Sequence, residues 1–254
     1  MVKHEPKMCG LELDLLELLA AADSPLGAVT LYYQLRDRHN IGQATVGRKL
    51  LELDHRGITR RHSFAGRTIT DAGRYFLGQL RSACELDNEQ AALSQQLSAT
   101  DLEGLLYVME ARRGVEAYGA YLAAERITTA ELEQLGQLIK ASRAAVAAGQ
   151  SGDREDIAFH DLVAKASRNP VLEHTVRLLR GHSTFAPVIA SIAANRARME
   201  GVRYVDLPDI LAALERRDPA AARDAMSRHI QRMTDELLRH AEAPPTPDVN
   251  RADH

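Results

Sequence analysis

The sequence predicts a mainly α-helical protein with one small β-hairpin near its N-terminus, and two observations support this class. Strong helix formers such as alanine, leucine, glutamate and arginine are abundant, whereas only 4% of the 254 residues are aromatic and tryptophan is absent. Apolar residues also recur at helical spacing along most of the chain. A hydrophobic content of 45% is enough for packed cores and excludes intrinsic disorder.

Residues 8–77 are predicted to form three helices followed by a hairpin. Apolar spacing places these helices at about 11–22, 28–39 and 43–55, with breaks at Asp23-Ser24-Pro25 and Asn40-Ile41-Gly42. Two β-prone stretches, 58–63 and 67–70, flank Phe64-Ala65-Gly66, which has the turn chemistry of a hairpin. This order of elements predicts a winged helix-turn-helix with the hairpin as its wing.

Basic residues are concentrated in this unit. Between Leu31 and Tyr75 nine Lys or Arg residues face four Asp or Glu residues, although the whole chain carries a net charge of −3. A basic segment on an acidic protein indicates nucleic-acid binding, and a merely solvated surface is the simpler alternative. In a winged helix the third helix enters the major groove and the wing contacts phosphates or a minor groove. The expected DNA contacts are Gln43, Thr45, Arg48 and Lys49 on that helix and Arg60, Arg61 and Arg67 on the wing.

The rest of the chain is predicted to be helical throughout. Residues 78–97 form a helical connector, and Ser98-Ala99-Thr100-Asp101 supplies N-cap residues for a second unit at 98–242. Caps and breakers place the helices of that all-α bundle at about 101–126, 129–148, 153–168, 170–181, 184–200, 207–216 and 219–242. Residues 243–254 are rich in proline and are predicted to be a disordered tail.

Five residues of the predicted bundle are candidates for binding chemistry. Asp156 and His160 share one helix face and can point at one ion, although a surface ion pair fits the same spacing. His229 lies beside the apolar stripe of the last helix, where a histidine that only packs in the core is the alternative. Arg112 can grip a carboxylate, or it can form a structural salt bridge with Glu116 four residues later.

Several motifs of residues 98–242 occur in an order that resembles a known domain. They are Glu110-Ala-Arg112 with Glu116, Leu122-Ala-Ala-Glu125-Arg126, Asp156-x-x-x-His160, Ala166-Ser-Arg-Asn169-Pro-Val-Leu172, and Ala213-Leu with Asp218-Pro-Ala-Ala-Ala and His229. This succession resembles the FCD domain, the effector-binding bundle of the FadR-type GntR regulators. The resemblance implies an all-helical domain that binds a small organic effector, often a carboxylate.

The N-terminal unit resembles a different group of winged helices. The run from Ile41 to Gly57, followed by Gly66-Arg67-Thr68-Ile69-Thr70 and Gly73, is similar to the winged-helix module of some bacterial and archaeal regulators. It lacks the glycine- and proline-marked entry of the usual GntR winged helix. The resemblances together therefore imply an FCD-type GntR regulator with an atypical N-terminal winged helix.

The FCD resemblance also implies a divalent metal, zinc or nickel, held by one aspartate and three histidines. Three of these ligands are matched by Asp156, His160 and His229. Leu207 occupies the position of the remaining histidine, and a leucine cannot coordinate a metal. Asp209 or His182 are the candidates to replace that ligand. Without a metal, the three matched residues would instead form hydrogen bonds with the effector.

The function that we expect is that of a homodimeric transcription regulator. Two winged helices would bind a double-stranded DNA operator, and a small organic acid, held with the help of Arg112 and Glu116, would alter operator affinity allosterically. The alternative is a DNA-binding protein whose helical unit serves only dimerisation, without effector or metal.

Enzyme and membrane classes find no support in the sequence. It contains no Gly-x-Ser-x-Gly elbow, Walker loop, dinucleotide fingerprint or His-Glu-x-x-His motif. The longest uncharged apolar run, Phe185 to Ala194, is about half of a membrane span. Because the N-terminus also lacks the hydrophobic core of a secretory signal, we expect a cytoplasmic protein without a membrane partner.

Overall fold

The computed structural model describes residues 10–98, 101–150, 152–181 and 206–242. The predicted helix at 184–200, the candidate ligand His182 and the predicted tail at 243–254 lie outside these residues. The chain divides into two compact units, Met1–Ser94 and Gln95–His254.

The first unit contains the predicted three helices and hairpin. Its elements are α1 (Leu11–Ala21), α2 (Ala28–His39), α3 (Gln43–His55), β1 (Thr59–His62), β2 (Gly66–Ile69) and α4 (Asp71–Leu97). Leucines from α1, α2 and α3 pack together with Ile58 and Ile69 in one core. Within α3, Val46, Leu50 and Leu53 are fully buried and form the face of this helix that packs into the core.

Two contacts fix the base of the hairpin. The strands β1 and β2 pair antiparallel, with Thr59 opposite Ile69 and His62 opposite Gly66. Leu26 adds a short bridge, because its backbone N–H and C=O both bond to Arg67 at 2.9 Å. Gly66 has φ +117°, and a Cβ atom there would lie 2.4 Å from the carbonyl group of Leu26. Only glycine therefore fits at the start of β2.

The second unit is built from helices whose starts are capped by the residues that the sequence offers. The helices are α5 (Leu102–Arg126), α6 (Thr129–Ala147), α7 (Asp153–Ala166), α8 (Pro170–Arg180), α9 (Leu207–Glu215) and α10 (Pro219–Glu242). Asp101 caps α5 by accepting a hydrogen bond from the Gly104 N–H at 3.0 Å. Thr128 and Glu131 form a capping box at α6, and Asn169 caps α8 ahead of Pro170.

Helix α5 lies at the centre of this bundle and packs along α10, with α7 and α8 also against it. Small residues on α5, including Ala117, Ala120 and Ala123, are buried and allow the helices to approach closely. The predicted mainly α fold with a small hairpin is confirmed: within the described ranges, β1 and β2 are the strands of the one sheet. None of the described helices is both long and apolar enough to cross a membrane.

Candidate functional site

The start of α3 presents the polar residues predicted for the major groove. Gln43 and Arg48 are exposed, and Thr45 and Lys49 are half-buried. The Lys49 ammonium donates a hydrogen bond to Glu52 at 2.9 Å and lies 3.8 Å from Glu12. Arg48 is therefore the cation of this set that stands exposed on the helix, whereas Lys49 is held by neighbouring carboxylates.

The three arginines predicted for the wing have different surroundings. Arg60 and Arg61 are exposed on β1. Arg67 is buried, and its Nε donates to Asp54 Oδ2 at 2.8 Å. Thr59 donates to the other oxygen of Asp54 at 2.6 Å. Since Arg67 and Thr59 hold one carboxylate between them, the structure places Arg67 as an anchor of the wing on α3.

The second unit encloses a cluster of charged and polar side chains in its core. The four residues predicted from i, i+4 spacing meet there: Arg112 and Glu116 from α5, and Asp156 and His160 from α7. His229 joins them from α10, although it is 69 residues away from His160 in sequence. All five side chains are buried, so the interpretation of Asp156 and His160 as a surface ion pair is wrong.

Asp156, His160 and His229 converge on one point. Their ligand atoms all lie within 4.8 Å of one another. The Nε2 atoms of the two histidines are 3.1 Å apart, and Asp156 Oδ1 lies 3.7 Å from His160 Nε2 and 3.9 Å from His229 Nε2. Asp156 Oδ1 is buried without a hydrogen-bond partner among the described residues.

The tautomer of His160 is set by Glu116. His160 Nδ1 donates a hydrogen bond to Glu116 Oε2, so the Nε2 of the neutral ring carries a lone pair. That lone pair faces His229 Nε2 and the unpartnered oxygen of Asp156. In this buried core the three atoms need a proton or a cation between them, and either a proton on His229 Nε2 or a metal ion can fill that place. The donor set therefore fits a divalent metal, with Glu116 orienting one ligand from behind.

Burial and neighbouring charges shift the pKa values of this cluster. Burial, together with the charge of Arg180, lowers the pKa of His160 to about 4, against the opposing effect of Glu116 and Asp156. Burial alone would raise the pKa of Asp156, but the two histidines and Arg180 hold it well below its usual range. At neutral pH the cluster thus offers neutral His160 and ionised Asp156, which are the protonation states that bind a metal.

The position of the fourth expected ligand is apolar. Leu207 is 1% exposed and belongs to the core of the bundle. Its neighbour Asp206 lies with Oδ2 3.7 Å from His229 Nδ1, which is the ring nitrogen that points away from His160. Asp209, a sequence-based candidate to replace the ligand, is exposed on α9. Within the described residues, the group that could hold a metal consists of Asp156, His160 and His229.

Arg180 is a member of the cluster that the sequence analysis did not single out. Its Nη2 donates to Asp156 Oδ2 at 3.0 Å, and its Nη1 lies 3.6 Å from Glu116 Oε2. The side chain is 7% exposed, and its Nε and Nη1 atoms have no hydrogen-bond partner among the described residues. Since Val176, one turn earlier on α8, is buried, the helical period could have placed Arg180 on the inner face.

The predicted effector residues are both buried and already paired with each other. Arg112 Nε donates to Glu116 Oε1 at 2.7 Å, and Arg112 Nη1 lies 3.4 Å from the sulfur of Met109. Arg112 Nη2 is buried without a hydrogen-bond partner in the described part of the unit. Arg112 thus forms the salt bridge with Glu116 that the structural interpretation predicts. It also keeps an unpartnered N–H group, Nη2, that could bind a carboxylate.

Comparison with known proteins identifies both units. Residues 107–232 match the model of the FCD domain, and residues 13–77 match the model described as the Ribonuclease R winged-helix domain. The chain is 39% identical over 85 residues to the HTH-type transcriptional regulator LutR of Bacillus subtilis (strain 168). The matched stretch amounts to 32% of this chain and 39% of the length of LutR. It is also 39% identical over 62 residues to the Global nitrogen regulator NrpRI of Methanosarcina mazei, and this match covers 24% of this chain and 19% of NrpRI. The chain thus spans well under half of the length of either relative.

Solved structures give more distant likenesses. The solved structure of E. coli McbR/YncC is 17% identical in sequence to this chain and superimposes with a TM-score of 0.49. The match covers 92% of this chain and 100% of McbR/YncC. The structure of Streptococcus agalactiae GntR is 22% identical in sequence, with a TM-score of 0.43, and the match covers 89% of this chain and 100% of that protein.

These findings define the class of the protein. An FCD domain forms the helical bundle, and a winged helix of a separate kind precedes it. The helical unit thus belongs to the FCD-domain family, and these matches support the prediction of an FCD-type GntR regulator with an atypical N-terminal winged helix.

Proposed function

We propose that this protein is a homodimeric transcription regulator whose winged helix binds duplex DNA and whose FCD domain binds a small organic acid. The observation that carries the proposal is the buried cluster of Asp156, His160 and His229 inside a bundle that follows a basic winged helix. Stability alone does not account for three converging polar side chains in a buried core, because an apolar core would cost less free energy. A binding role explains why they are kept there.

A divalent ion would be held by Asp156 Oδ1 and by the Nε2 atoms of His160 and His229. When bound, such an ion supplies a Lewis-acidic centre with open positions for the oxygen atoms of a ligand. Because Leu207 stands where the family pattern has a fourth protein ligand, a bound ion would have one more coordination position for an oxygen of the effector. Zinc and nickel both accept imidazole ligands, which makes them the ions of choice.

Charge favours an anionic effector at this place. The ionised carboxylates of Glu116 and Asp156 balance the guanidinium groups of Arg112 and Arg180, and His160 is neutral. A divalent ion would then leave an uncompensated positive charge in the core, which a carboxylate neutralises. The unpartnered N–H groups of Arg112 and Arg180 are the donors that would grip it.

Metal titration tests the binding site directly. Untagged protein, first treated with a chelator, is titrated with Zn²⁺ and separately with Ni²⁺ by calorimetry, and we expect about one ion per chain. His229→Gln should abolish the binding, whereas His174→Gln, at an exposed histidine of α8, should preserve it. Equal binding by the two variants would place the metal elsewhere.

Effector binding separates the proposal from its alternative, a helical unit that serves only dimerisation. A panel of small carboxylates added to the metal-loaded protein should include at least one that raises the melting temperature, because a ligand that binds the native state stabilises it. Arg180→Gln should reduce that shift. Leu207 gives the alternative its specific support, and a panel that produces no shift would favour it.

DNA binding is tested with duplexes selected in vitro by the wild-type protein. Arg48→Ala should weaken binding to the selected duplex by about five- to 150-fold, because an arginine on the third helix contacts base edges. Arg143→Ala removes the same charge from an exposed position of α6 and should leave the affinity unchanged. Similar affinities of the two variants would overturn the proposed use of α3.

A further inference from the structure

The tip of the wing carries an aromatic side chain that packs against nothing in its unit. Phe64, between β1 and β2, is 103% exposed, whereas Phe76 packs against the core of the same unit. Single exposed apolar residues are common on protein surfaces, so exposure by itself indicates no function. The surroundings of Phe64 are what point to a ligand.

All charged residues close to Phe64 in the sequence are basic. Residues 55–70 contain four arginines and two histidines but no aspartate or glutamate. Two of the arginines, Arg56 and Arg67, are paired with Glu12 and Asp54. Arg60 and Arg61 are exposed, and no carboxylate of the described chain pairs with either of them. An aromatic ring flanked by two such guanidinium groups is suited to a polyanion that also offers an apolar surface.

The wing holds this ring in a defined position. The bridge between Leu26 and Arg67 and the Arg67–Asp54 ion pair fix its base. Across the strands, His62 Nε2 lies 2.8 Å from Thr68 Oγ1. The turn at the tip is closed by the Ala65 N–H, which donates to the His62 carbonyl at 2.8 Å. Phe64 is therefore presented on a braced hairpin, which lowers the entropy cost of docking it.

We propose that Phe64 is a wedge that enters the minor groove of the duplex whose major groove receives α3, and that it packs against or partly between base steps there. This inference rests on the DNA binding proposed above. Apolar side chains, phenylalanine among them, are used in this way by proteins that bind and bend the minor groove. Arg60 and Arg61 would contact the phosphates on either side of the groove. Duplex DNA satisfies both features of the tip, because its grooves combine stacked bases with a charged backbone.

The absence of tryptophan from the chain allows a direct test. Phe64→Trp introduces a single tryptophan at the tip of the wing in the full-length protein, and its emission can be excited selectively at wavelengths that the tyrosines do not absorb. On addition of the duplex selected by the wild-type protein, its emission should be quenched by contact with bases. Tyr107→Trp, at an exposed position of α5, is the matched control and should keep its emission. If the duplex binds and the emission of Phe64→Trp stays as unchanged as that of Tyr107→Trp, the proposed wedge is overturned.

Affinity and DNA shape provide a second measurement. Phe64→Ala should weaken binding to the selected duplex by about five- to 100-fold, the range seen when one aromatic contact with a base is removed. Phe64→Leu keeps an apolar wedge and should retain most of the affinity. Energy transfer between dyes at the two duplex ends should report a smaller bend with Phe64→Ala than with the wild type. Because Phe64 is exposed, none of these changes should lower the melting temperature.

The outcomes distinguish this inference from the function on which it rests. If the wild-type protein selects no duplex, the proposed DNA binding fails and the wedge fails with it. If it selects a duplex that Phe64→Ala binds and bends equally well, only the wedge is overturned. Stronger quenching of Phe64→Trp by the single strand than by the duplex would assign the ring to single-stranded nucleic acid and would also overturn it.

Discussion

Glu116 contacts Arg112, His160 and Arg180 on the side of the buried cluster that faces away from the proposed metal. One of its oxygens accepts from Arg112 at 2.7 Å, and the other accepts from His160 and faces Arg180. Burial would raise its pKa, but Arg112, His160 and Arg180 hold that pKa well below the usual range. Glu116 is thus an ionised group that fixes the ring of His160 without pointing at the ion.

Neutralising Glu116 should therefore weaken the proposed metal site. We expect Glu116→Gln to reduce the affinity for Zn²⁺ about 10- to 100-fold, as is usual when the partner behind a ligating histidine is lost. Calorimetric titration of folded, chelator-treated protein measures this. Glu110→Gln, at an exposed position on the same helix, should bind Zn²⁺ like the wild type. Unchanged affinity in Glu116→Gln would show that His160 does not ligate the metal.

His160 should also make stability depend on pH in the metal-free protein. Its pKa is lowered from 6.5 to about 4 in the folded state, so the unfolded chain binds more protons between these values. The free energy of unfolding should thus rise with pH from about 4 to 6.5 and level off above, by about 3 kcal/mol from this group alone.

Urea unfolding in the presence of a chelator, at several pH values across this window, measures the slope. His160→Gln should flatten it, because the titrating group is gone. His174→Gln replaces an exposed histidine and should leave the slope as in the wild type. A His160→Gln variant with the full slope would assign the dependence to other groups.

At the scale of elements, local sequence patterns were sufficient for boundaries. The bounds of α2, α3 and α10 are those predicted, and most of the other described helices differ from the prediction by one or two residues at an end. Helix α4 is the exception, because it begins at Asp71, ahead of the connector predicted at 78–97. Helix starts follow from caps such as Asn169 and from Pro170 at the first turn, which act over a few residues. The role of an element is decided differently, as the wing shows. Its three arginines look alike in sequence, but Arg67 alone is turned inward to Asp54.

The inward position of Arg67 predicts a difference between arginine substitutions. Arg67→Ala leaves Asp54 partly buried with one fewer donor, so we expect a loss of about 1–3 kcal/mol in the stability of the first unit. Arg60→Ala, on the exposed side of β1, should change stability by less than about 0.5 kcal/mol. Hydrogen exchange of the wing amides, followed together with urea unfolding, measures both. Equal effects of the two changes would mean that the anchor does not stabilise the wing.

At the scale of the whole molecule, the proposed function requires the two units to be linked in free energy. If a carboxylate alters the affinity for the selected duplex by some factor, the duplex must alter the affinity for the carboxylate by the same factor. We expect a factor of about five to 150. Fluorescence anisotropy with labelled duplex and calorimetry with the carboxylate measure the two sides independently.

Two variants check that the linkage arises from the proposed sites. Arg180→Gln should lower the affinity for the carboxylate while the duplex affinity of the ligand-free protein stays constant. Arg48→Ala should lower the affinity for the duplex while the affinity for the carboxylate stays constant. If Arg180→Gln lowers both affinities equally, the change has damaged the fold rather than the effector site. A carboxylate that binds tightly without altering duplex affinity would rule out allosteric control by that compound.

Helices, hairpin, two-part organisation and the pairing of Asp156 with His160 can all be predicted from the amino-acid sequence, because each depends on residues close together in the chain. The tertiary structure alone decided what those residues meet. It brought Arg180 to the buried point where His229, expected there only from the family resemblance, meets Asp156 and His160. It also left Asp209 on the surface and placed Arg67 at the base of the wing. Such meetings depend on how helices distant in sequence pack around a shared core, and helical periodicity states only which face is buried, not which residue lies opposite it.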